Sequence, residues 1–314
     1  MNRLLASLQH NLGPAIAEAL TDPAVVEIAL NPDGTLWIER AGEPMTPAGS
    51  LEPDKGRLVV SLVATALGTT VTAERPVVEG ELPLDGSRFE GLLPPIVASP
   101  SFSIRKRCSR IISLTEYVDS GVMPSLVRDV IVRAVLDRRN ILVVGGTGTG
   151  KTTLVNGVIQ AMADLCPSDR LVIIEDTSEL QSASANTVFL RSSDYVSIRD
   201  LVRATMRLRP DRILVGEVRG GEALDLLKAW NTGHSGGVAT VHANGAVAGL
   251  IRLEQLIGEA SASPMQTLIG EAIDIVVYLR RSKAGREVAQ VASVAGFNWQ
   301  TKNYSLEMIY DADA

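Results

Sequence analysis

The chain has 314 residues, of which 46% are apolar, 21% charged and only 4% aromatic. This length favours two globular domains, and the scarcity of aromatic residues predicts that their cores are aliphatic. The net charge of −6 argues against a strongly basic surface for nucleic acid, although it leaves open a local basic patch and so leaves direct nucleic-acid binding undecided. The uncharged run at residues 58–73 is too short and too polar to span a bilayer, which favours a cytoplasmic protein.

Residues 1–112 are predicted to form an α+β domain. In chain order, the expected elements are a helix over 1–20, strands over 25–30 and 35–39, a helix over 58–67 and strand-like segments over 77–109. Arg88 and Arg105 each stand in a short strand of this domain. They are interpreted either as charges on a solvated edge strand or as contacts to a γ-phosphate. Cys108 and Cys166 have no metal-ligand spacing and are expected to be free thiols.

A linker is predicted over residues 113–124, which lack a long apolar period, and an α/β domain over 125–314. After a first helix near 126–135, short apolar runs alternate with helices in this domain. The expected strands are 141–144, 171–174, 213–215 and 238–241, and the expected helices are 151–163, 198–207, 222–230, 247–257 and 264–273. This alternation predicts a mostly parallel sheet covered on both faces. Residues 275–279, 288–294 and 304–309 are predicted to form an antiparallel end piece.

A phosphate-binding loop follows the first strand of the second domain. The segment Gly145–Thr152 matches the complete pattern G-x4-G-K-T, with a strand before it and a helix after it. Successive backbone amides of such a loop point at phosphate oxygens, and the helix N-terminus adds positive potential. The predicted nucleotide-binding residues of the loop are Gly145, Gly146, Thr147, Gly148, Thr149, Gly150, Lys151, Thr152 and Thr153. Lys151 is expected to reach the β- and γ-phosphates, and the Thr152 hydroxyl to bind Mg²⁺.

Polar residues follow the other predicted strands, at the sheet edge where ligands of such folds bind. Glu175 and Asp176 follow one strand and Glu217 the next, while His234 and His242 flank a third. Carboxylates at this edge could hold hydrated Mg²⁺ or orient an attacking water. The alternative for the Glu175–Asp176 pair is a cap of the following turn. The histidines could transfer a proton, sense a γ-phosphate or be structural.

Four motifs in this order resemble the traffic ATPases of type IV secretion and conjugal transfer. They are the phosphate loop 145–152, an acidic box at 174–180, the segment 208–219 and a histidine box at 232–244. Ser103–Lys106 also resembles the N-terminal domain of this family. The resemblance implies a RecA-like ATPase domain preceded by a smaller α+β domain, with ATP and Mg²⁺ as ligands. It also implies a homo-oligomer, expected to be a hexamer, that works with inner-membrane secretion components through peripheral contact.

The family pattern also implies roles for individual residues. Lys151 and Thr152 would bind phosphate and Mg²⁺. Glu175 and Asp176 would support the metal and the attacking water. Glu217 would take the Walker B position and His242 that of the histidine box, while Arg88 and Arg105 would be the N-terminal arginine contacts. Glu217, Glu175, His242 and Lys151 are therefore the expected catalytic residues, and Thr152, Glu175, Asp176 and Glu217 the expected metal residues. Gly216 stands where many P-loop proteins carry an aspartate, which points to Mg²⁺ coordination through water.

The function expected from the sequence is an ATP-hydrolysing motor that powers substrate transfer or pilus assembly. Two alternatives belong to other classes. One is a P-loop kinase that transfers the γ-phosphate to a small acceptor, although no lid segment is evident. The other is a nucleotide-gated assembly module with negligible turnover.

Overall fold

The computed structural model describes residues 2–107, 110–193, 195–282 and 285–314, with the side chain of Asn2 left aside. It divides into two compact units, Met1–Ser109 and Arg110–Ala314. Cys108, one of the two predicted free thiols, lies outside the described residues, whereas Cys166 is a free, half-buried cysteine.

The N-terminal unit is a six-stranded antiparallel sheet with two helices. Its elements are α1 (Asn2–Thr21), β1 (Val25–Leu30), β2 (Thr35–Arg40), β3 (Thr46–Ser50), α2 (Pro53–Ala66), β4 (Val77–Glu81), β5 (Arg88–Leu92) and β6 (Ser101–Arg105). The strand order is β3-β2-β1-β6-β5-β4. Apolar residues at helical spacing, such as Leu8 and Leu12 of α1 and Val60 of α2, pack with Ile28 and Ile104 of the sheet. The predicted α+β N-terminal fold is confirmed.

The second unit is built on an eight-stranded sheet. Its strands are β7 (Ile141–Gly145), β8 (Leu171–Glu175), β9 (Thr187–Arg191), β10 (Arg212–Val215), β11 (Val238–Val241), β12 (Ile275–Ser282), β13 (Gly285–Asn298) and β14 (Asn303–Asp311). Its helices are α3 (Leu114–Asp119), α4 (Ser125–Leu136), α5 (Lys151–Leu165), α6 (Ile198–Thr205), α7 (Glu222–Asn231), α8 (Ala246–Gly258) and α9 (Gln266–Ala272).

The strand order of this sheet is β14-β13-β12-β7-β11-β10-β8-β9. The strands from β12 to β9 in this order pair in parallel, and β13 and β14 are antiparallel to their neighbours. Alternate residues of β7 enter different cores: Val144 packs in the cluster that contains α7 and α8, and Val143 in the cluster that contains α4 and α5. The predicted mostly parallel sheet covered on both faces is confirmed.

Three predictions of local structure need correction. The predicted linker 113–124 folds into the second unit, because Ser113 and Glu116 form a capping box for α3 and Tyr117 is buried. The segment 275–279 is not part of a purely antiparallel end piece, since β12 pairs in parallel with β7. β3 and β9 were not predicted at all. Within the described residues, no helix is long and apolar enough to cross a membrane.

Candidate nucleotide site

The phosphate loop connects β7 to α5, and its glycines are required by their surroundings. Gly148 and Gly150 have φ angles of 69° and 96°, the left-handed region that side chains disfavour. A Cβ on Gly145 would lie 2.7 Å from the Leu279 carbonyl oxygen on neighbouring β12. The loop therefore reaches its turn only with glycine at these three positions.

Lys151, the first residue of α5, is the buried cation of the loop. Lys151 is only 7% exposed, and its Nζ donates to the carbonyl oxygens of Gly145 at 2.9 Å and Gly146 at 3.0 Å. The same Nζ lies 3.2 Å from His242 Nε2. The predicted histidine-box residue is thus in contact with the phosphate-loop lysine.

The strand order explains why these residues meet. β11 lies directly beside β7, and β10 lies beside β11, all three in parallel. Residues that follow these strands consequently share one sheet edge. His242 Nε2 lies 2.9 Å from Glu217 Oε1, so a continuous series of contacts runs from Lys151 through His242 to Glu217.

Arg219 extends this series to the acidic box. It donates to Glu217 Oε2 at 2.8 Å and to Asp176 Oδ2 at 2.5 Å. Two of the predicted carboxylates are therefore held by one guanidinium. The sequence places Arg219 near the site but does not indicate this bridging contact, because Asp176 is 43 residues away along the chain.

Glu175 is the buried carboxylate of the site, with 5% of its surface exposed. Its Oε1 accepts hydrogen bonds from the backbone amides of Glu179 at 3.0 Å and Leu180 at 2.8 Å. Burial raises the pKa of this carboxyl above its usual range, and the two amides oppose that shift. Glu175 therefore caps the following turn and also carries a carboxyl group with a raised pKa.

Gly216 is explained by the same carboxylate. A Cβ at this position would lie 3.1 Å from Cγ and 3.3 Å from Oε1 of Glu175. An aspartate here, as in many P-loop proteins, would displace Glu175. The departure from the common Walker B pattern is therefore a packing requirement of the acidic box.

The predicted metal residues do not form a ready-made cage. Among the described residues, no group of three or more His, Cys, Asp and Glu is placed to hold a metal ion. Asp176 and Glu217 are instead joined by Arg219. Thr152 lies in the first turn of α5, as predicted.

His234, the other predicted histidine, lies away from the phosphate loop. His234 precedes β11, so it lies at the opposite sheet edge, where its Nδ1 is 3.2 Å from the Pro210 carbonyl oxygen. The expectation that both histidines flank the active edge is wrong for His234.

Arg88 and Arg105 are directly opposite each other on paired strands β5 and β6 of the N-terminal unit.

The hairpin formed by β12 and β13 brings two arginines to the phosphate loop, a contact that the sequence did not indicate. Arg281 Nε and Arg286 Nε each lie 3.1 Å from the Gly148 carbonyl oxygen. They are 133 and 138 residues from Gly148, so no local pattern could have revealed the contact.

A parallel sheet with this loop and these carboxylates at its edge defines a P-loop ATPase of the RecA-like class. The chain belongs to the Type II/IV secretion system protein family, whose model matches residues 15–303. It is 52% identical to the conjugal transfer protein TrbB of Rhizobium radiobacter over 306 residues, which cover 96% of this chain and 95% of that protein.

Solved structures agree with this assignment. The VirB11 ATPase from the Brucella suis type IV secretion system, in complex with sulphate, is 26% identical with a TM-score of 0.50, and the match covers 93% of this chain and 96% of that one. The pilus retraction motor PilT with bound ADP has a TM-score of 0.63 at 21% identity, covers 98% of this chain and 84% of that one, and supports the fold alone. The predicted resemblance to secretion and conjugal-transfer ATPases is confirmed.

Proposed function

We propose that this chain hydrolyses ATP to ADP and phosphate, and that as a homohexamer it powers substrate transfer or pilus assembly in a type IV secretion or conjugation system. The observation that carries the proposal is the contact series Lys151–His242–Glu217 at the phosphate loop. A loop that only bound nucleotide would not need a histidine against its lysine and a carboxylate against that histidine. Family membership and the name of the R. radiobacter relative support the transport role.

In the proposed reaction, residues 145–153 bind the phosphates, with Lys151 at the β- and γ-phosphates. Glu175 orients the attacking water and accepts its proton. Its Oε1 is fixed by two amides, which sets the direction of the other oxygen, and its raised pKa makes it a stronger base than an exposed glutamate. His242 links the lysine to Glu217 and is placed to sense the γ-phosphate.

Mg²⁺ fits this site in the way it usually binds with nucleotides, through phosphate oxygens, water and few protein ligands. The Thr152 hydroxyl would hold it directly, and Glu175, Asp176 and Glu217 would act through water. The ion would neutralise charge on the phosphates. This mode agrees with carboxylates that are held by Arg219 and by backbone amides.

Arg88 and Arg105 are proposed to bind the γ-phosphate. Directly opposite residues of an antiparallel pair carry their side chains on one face, so the two guanidinium groups are placed to hold one phosphate together. Glu81 and Glu27 stand opposite Arg88 and Arg105 on the neighbouring strands β4 and β1, and the phosphate would compete with these carboxylates. We also propose that the chain is a peripheral component that works with partners at the inner face of the inner membrane.

Phosphate release, measured with and without small acceptor molecules, tests the reaction. We expect acceptor-independent release that falls by about 100-fold or more in Lys151→Ala and Glu217→Gln, since Lys151 is proposed to bind the transferred group and Glu217 to hold His242 and the hydrated Mg²⁺ beside it. His242→Ala should lower it and the matched variant His234→Ala should not, because His234 lies at the other sheet edge. ADP formation that required an acceptor and left the phosphate on that acceptor, with no free phosphate, would favour a kinase. Formation of neither ADP nor free phosphate would favour an assembly module.

Assembly is tested by light scattering and negative-stain microscopy with and without ATP. Six-membered rings are expected in at least one condition. A monomer in both conditions would contradict the proposed motor, whatever the result for phosphate release.

A further inference from the structure

The hairpin formed by β12 and β13 lies against the phosphate loop. Leu279 of β12 is in register with Gly145, the last residue of β7. Arg281, two residues further on, therefore passes the strand end on the same side and reaches the loop. Arg286 of β13 is directly opposite Arg281.

Both arginines contact one atom, the carbonyl oxygen of Gly148, at 3.1 Å from each Nε. The loop is also shaped around them. A Cβ on Gly148 would lie 2.8 Å from Arg281 Nη2, and a Cβ on Gly150 would lie 3.4 Å from Arg286 Cδ. Glycine at these positions accommodates the guanidinium groups as well as the backbone angles.

The neighbouring Arg280 has different partners. It forms ion pairs with Glu287 at 2.7 Å and with Asp313 at 2.5 Å. Two opposed cations would normally repel each other, and here they converge on a neutral carbonyl beside a loop that collects backbone amides. This arrangement adds positive charge where phosphates are expected.

Because the peptide bond is planar, holding the Gly148 carbonyl oxygen also fixes the direction of the next N–H group. In a trans peptide the carbonyl and the following N–H point in opposite directions. Donors that hold the Gly148 oxygen on the hairpin side therefore fix the Thr149 N–H on the other side. Without them this peptide could rotate, because glycine at 148 restricts it little.

We infer that Arg281 and Arg286 are positioning residues for nucleotide binding: they hold the Gly148 peptide so that the Thr149 amide donates to a nucleotide phosphate. The inference rests on the proposed function of the loop. It makes the C-terminal hairpin part of the nucleotide site, although it is more than 100 residues away along the chain.

The test measures the affinity of the full-length protein for a fluorescent ADP analogue, together with KM and kcat for ATP. Arg281→Ala and Arg286→Ala should each raise Kd and KM about tenfold, the loss of roughly one charge-assisted hydrogen bond, and leave kcat within about twofold. Arg281→Lys and Arg286→Lys should recover part of the affinity, because lysine keeps a cationic donor. Arg280→Ala is the matched control and should bind like the wild type.

Several results would overturn the inference. They are unchanged Kd in both alanine variants, an equal loss in Arg280→Ala, and a fall in kcat at constant KM. If an alanine variant fails to fold, shown by circular dichroism, the lysine variants decide, with wild-type affinity in both counting against the inference. A wild type that binds no nucleotide, or a Lys151→Ala variant that binds as tightly as the wild type, would overturn the proposed function as well.

Discussion

Gly216→Ala offers the sharpest test of how the acidic box is built. The new Cβ would lie 3.1 Å from Glu175 Cγ, which is closer than nearly all natural contacts of this kind, so Glu175 must shift by a few tenths of an ångström. Overpacking of this type costs about 1–3 kcal/mol, and we expect about 1–2 kcal/mol because a side chain rather than backbone must give way. A shift of this size in a proposed base should lower turnover roughly tenfold.

Denaturant unfolding and phosphate release measure the two effects. Gly258→Ala is the matched control, since nothing lies within 4 Å of its new Cβ, and it should keep wild-type turnover with stability changed by less than about 1 kcal/mol. In a Glu175→Ala background the atom that clashes is gone, so Gly216→Ala should then cost less than about 0.5 kcal/mol. Equal behaviour of the two glycine variants, or an undiminished cost in the Glu175→Ala background, would refute the reasoning.

Three further predictions concern the buried and bridging charges. Because burial raises the pKa of Glu175 in the folded protein above the ordinary 4.5, the wild type should lose stability as pH rises from below 4.5 through the raised value. Glu175→Gln should lack this loss and release almost no phosphate, and parallel pH curves of the two unfolding free energies would contradict this. Arg212 is fully buried, and its Nε lies 2.6 Å from Asp169 Oδ2. Arg212→Ala should therefore lower the free energy of unfolding in urea by about 3–5 kcal/mol. A loss below about 1 kcal/mol would contradict a structural ion pair. Arg219→Ala should slow phosphate release about tenfold, because Glu217 loses its second anchor, yet change stability by less than about 1 kcal/mol, since Arg219 is half exposed. Unchanged release in Arg219→Ala would show that the bridge is dispensable.

Local patterns were sufficient to predict the second unit and much of its site. Strands such as β7 and β8 are buried at every position, so they appear in the sequence as continuous apolar runs between helices. Parallel strands present their carboxyl ends at one edge, so Glu217 and His242 could be expected near the phosphate loop. The structure brings His242 to Lys151 and Glu217 to His242.

Two errors could have been avoided from the sequence itself. His234 comes before its strand, and a residue before a parallel strand lies at the amino edge, away from the loop. Ser113 and Glu116 have the spacing of a capping box, which predicts a helix start where a linker was expected. In both cases the local signal was present.

The hairpin contacts could not have been predicted in this way. The sequence of a short apolar segment such as 275–279 does not indicate whether the strand pairs in parallel or antiparallel, nor which strand it pairs with. The position of Arg281 depends on the register between Leu279 and Gly145, a long-range pairing that is fixed only when the whole sheet forms. Arg219 is similar, since its contact with Asp176 requires β8 and β10 to be neighbours.

The glycines around the site have separate causes, and these causes connect distant parts of the chain. Gly145 is required by a carbonyl of β12, Gly148 by its backbone angle and by Arg281, and Gly216 by the carboxylate of Glu175. A phosphate-loop pattern alone therefore indicates a nucleotide, because it reports only how a backbone can surround phosphate. The chemistry is indicated by what packs against the loop. In this chain the neighbours on one side of β7 are a histidine and carboxylates, which are proposed to act in hydrolysis, and on the other side are the two arginines of the β12–β13 hairpin. The loop is therefore held from strands on both sides of β7 in the sheet.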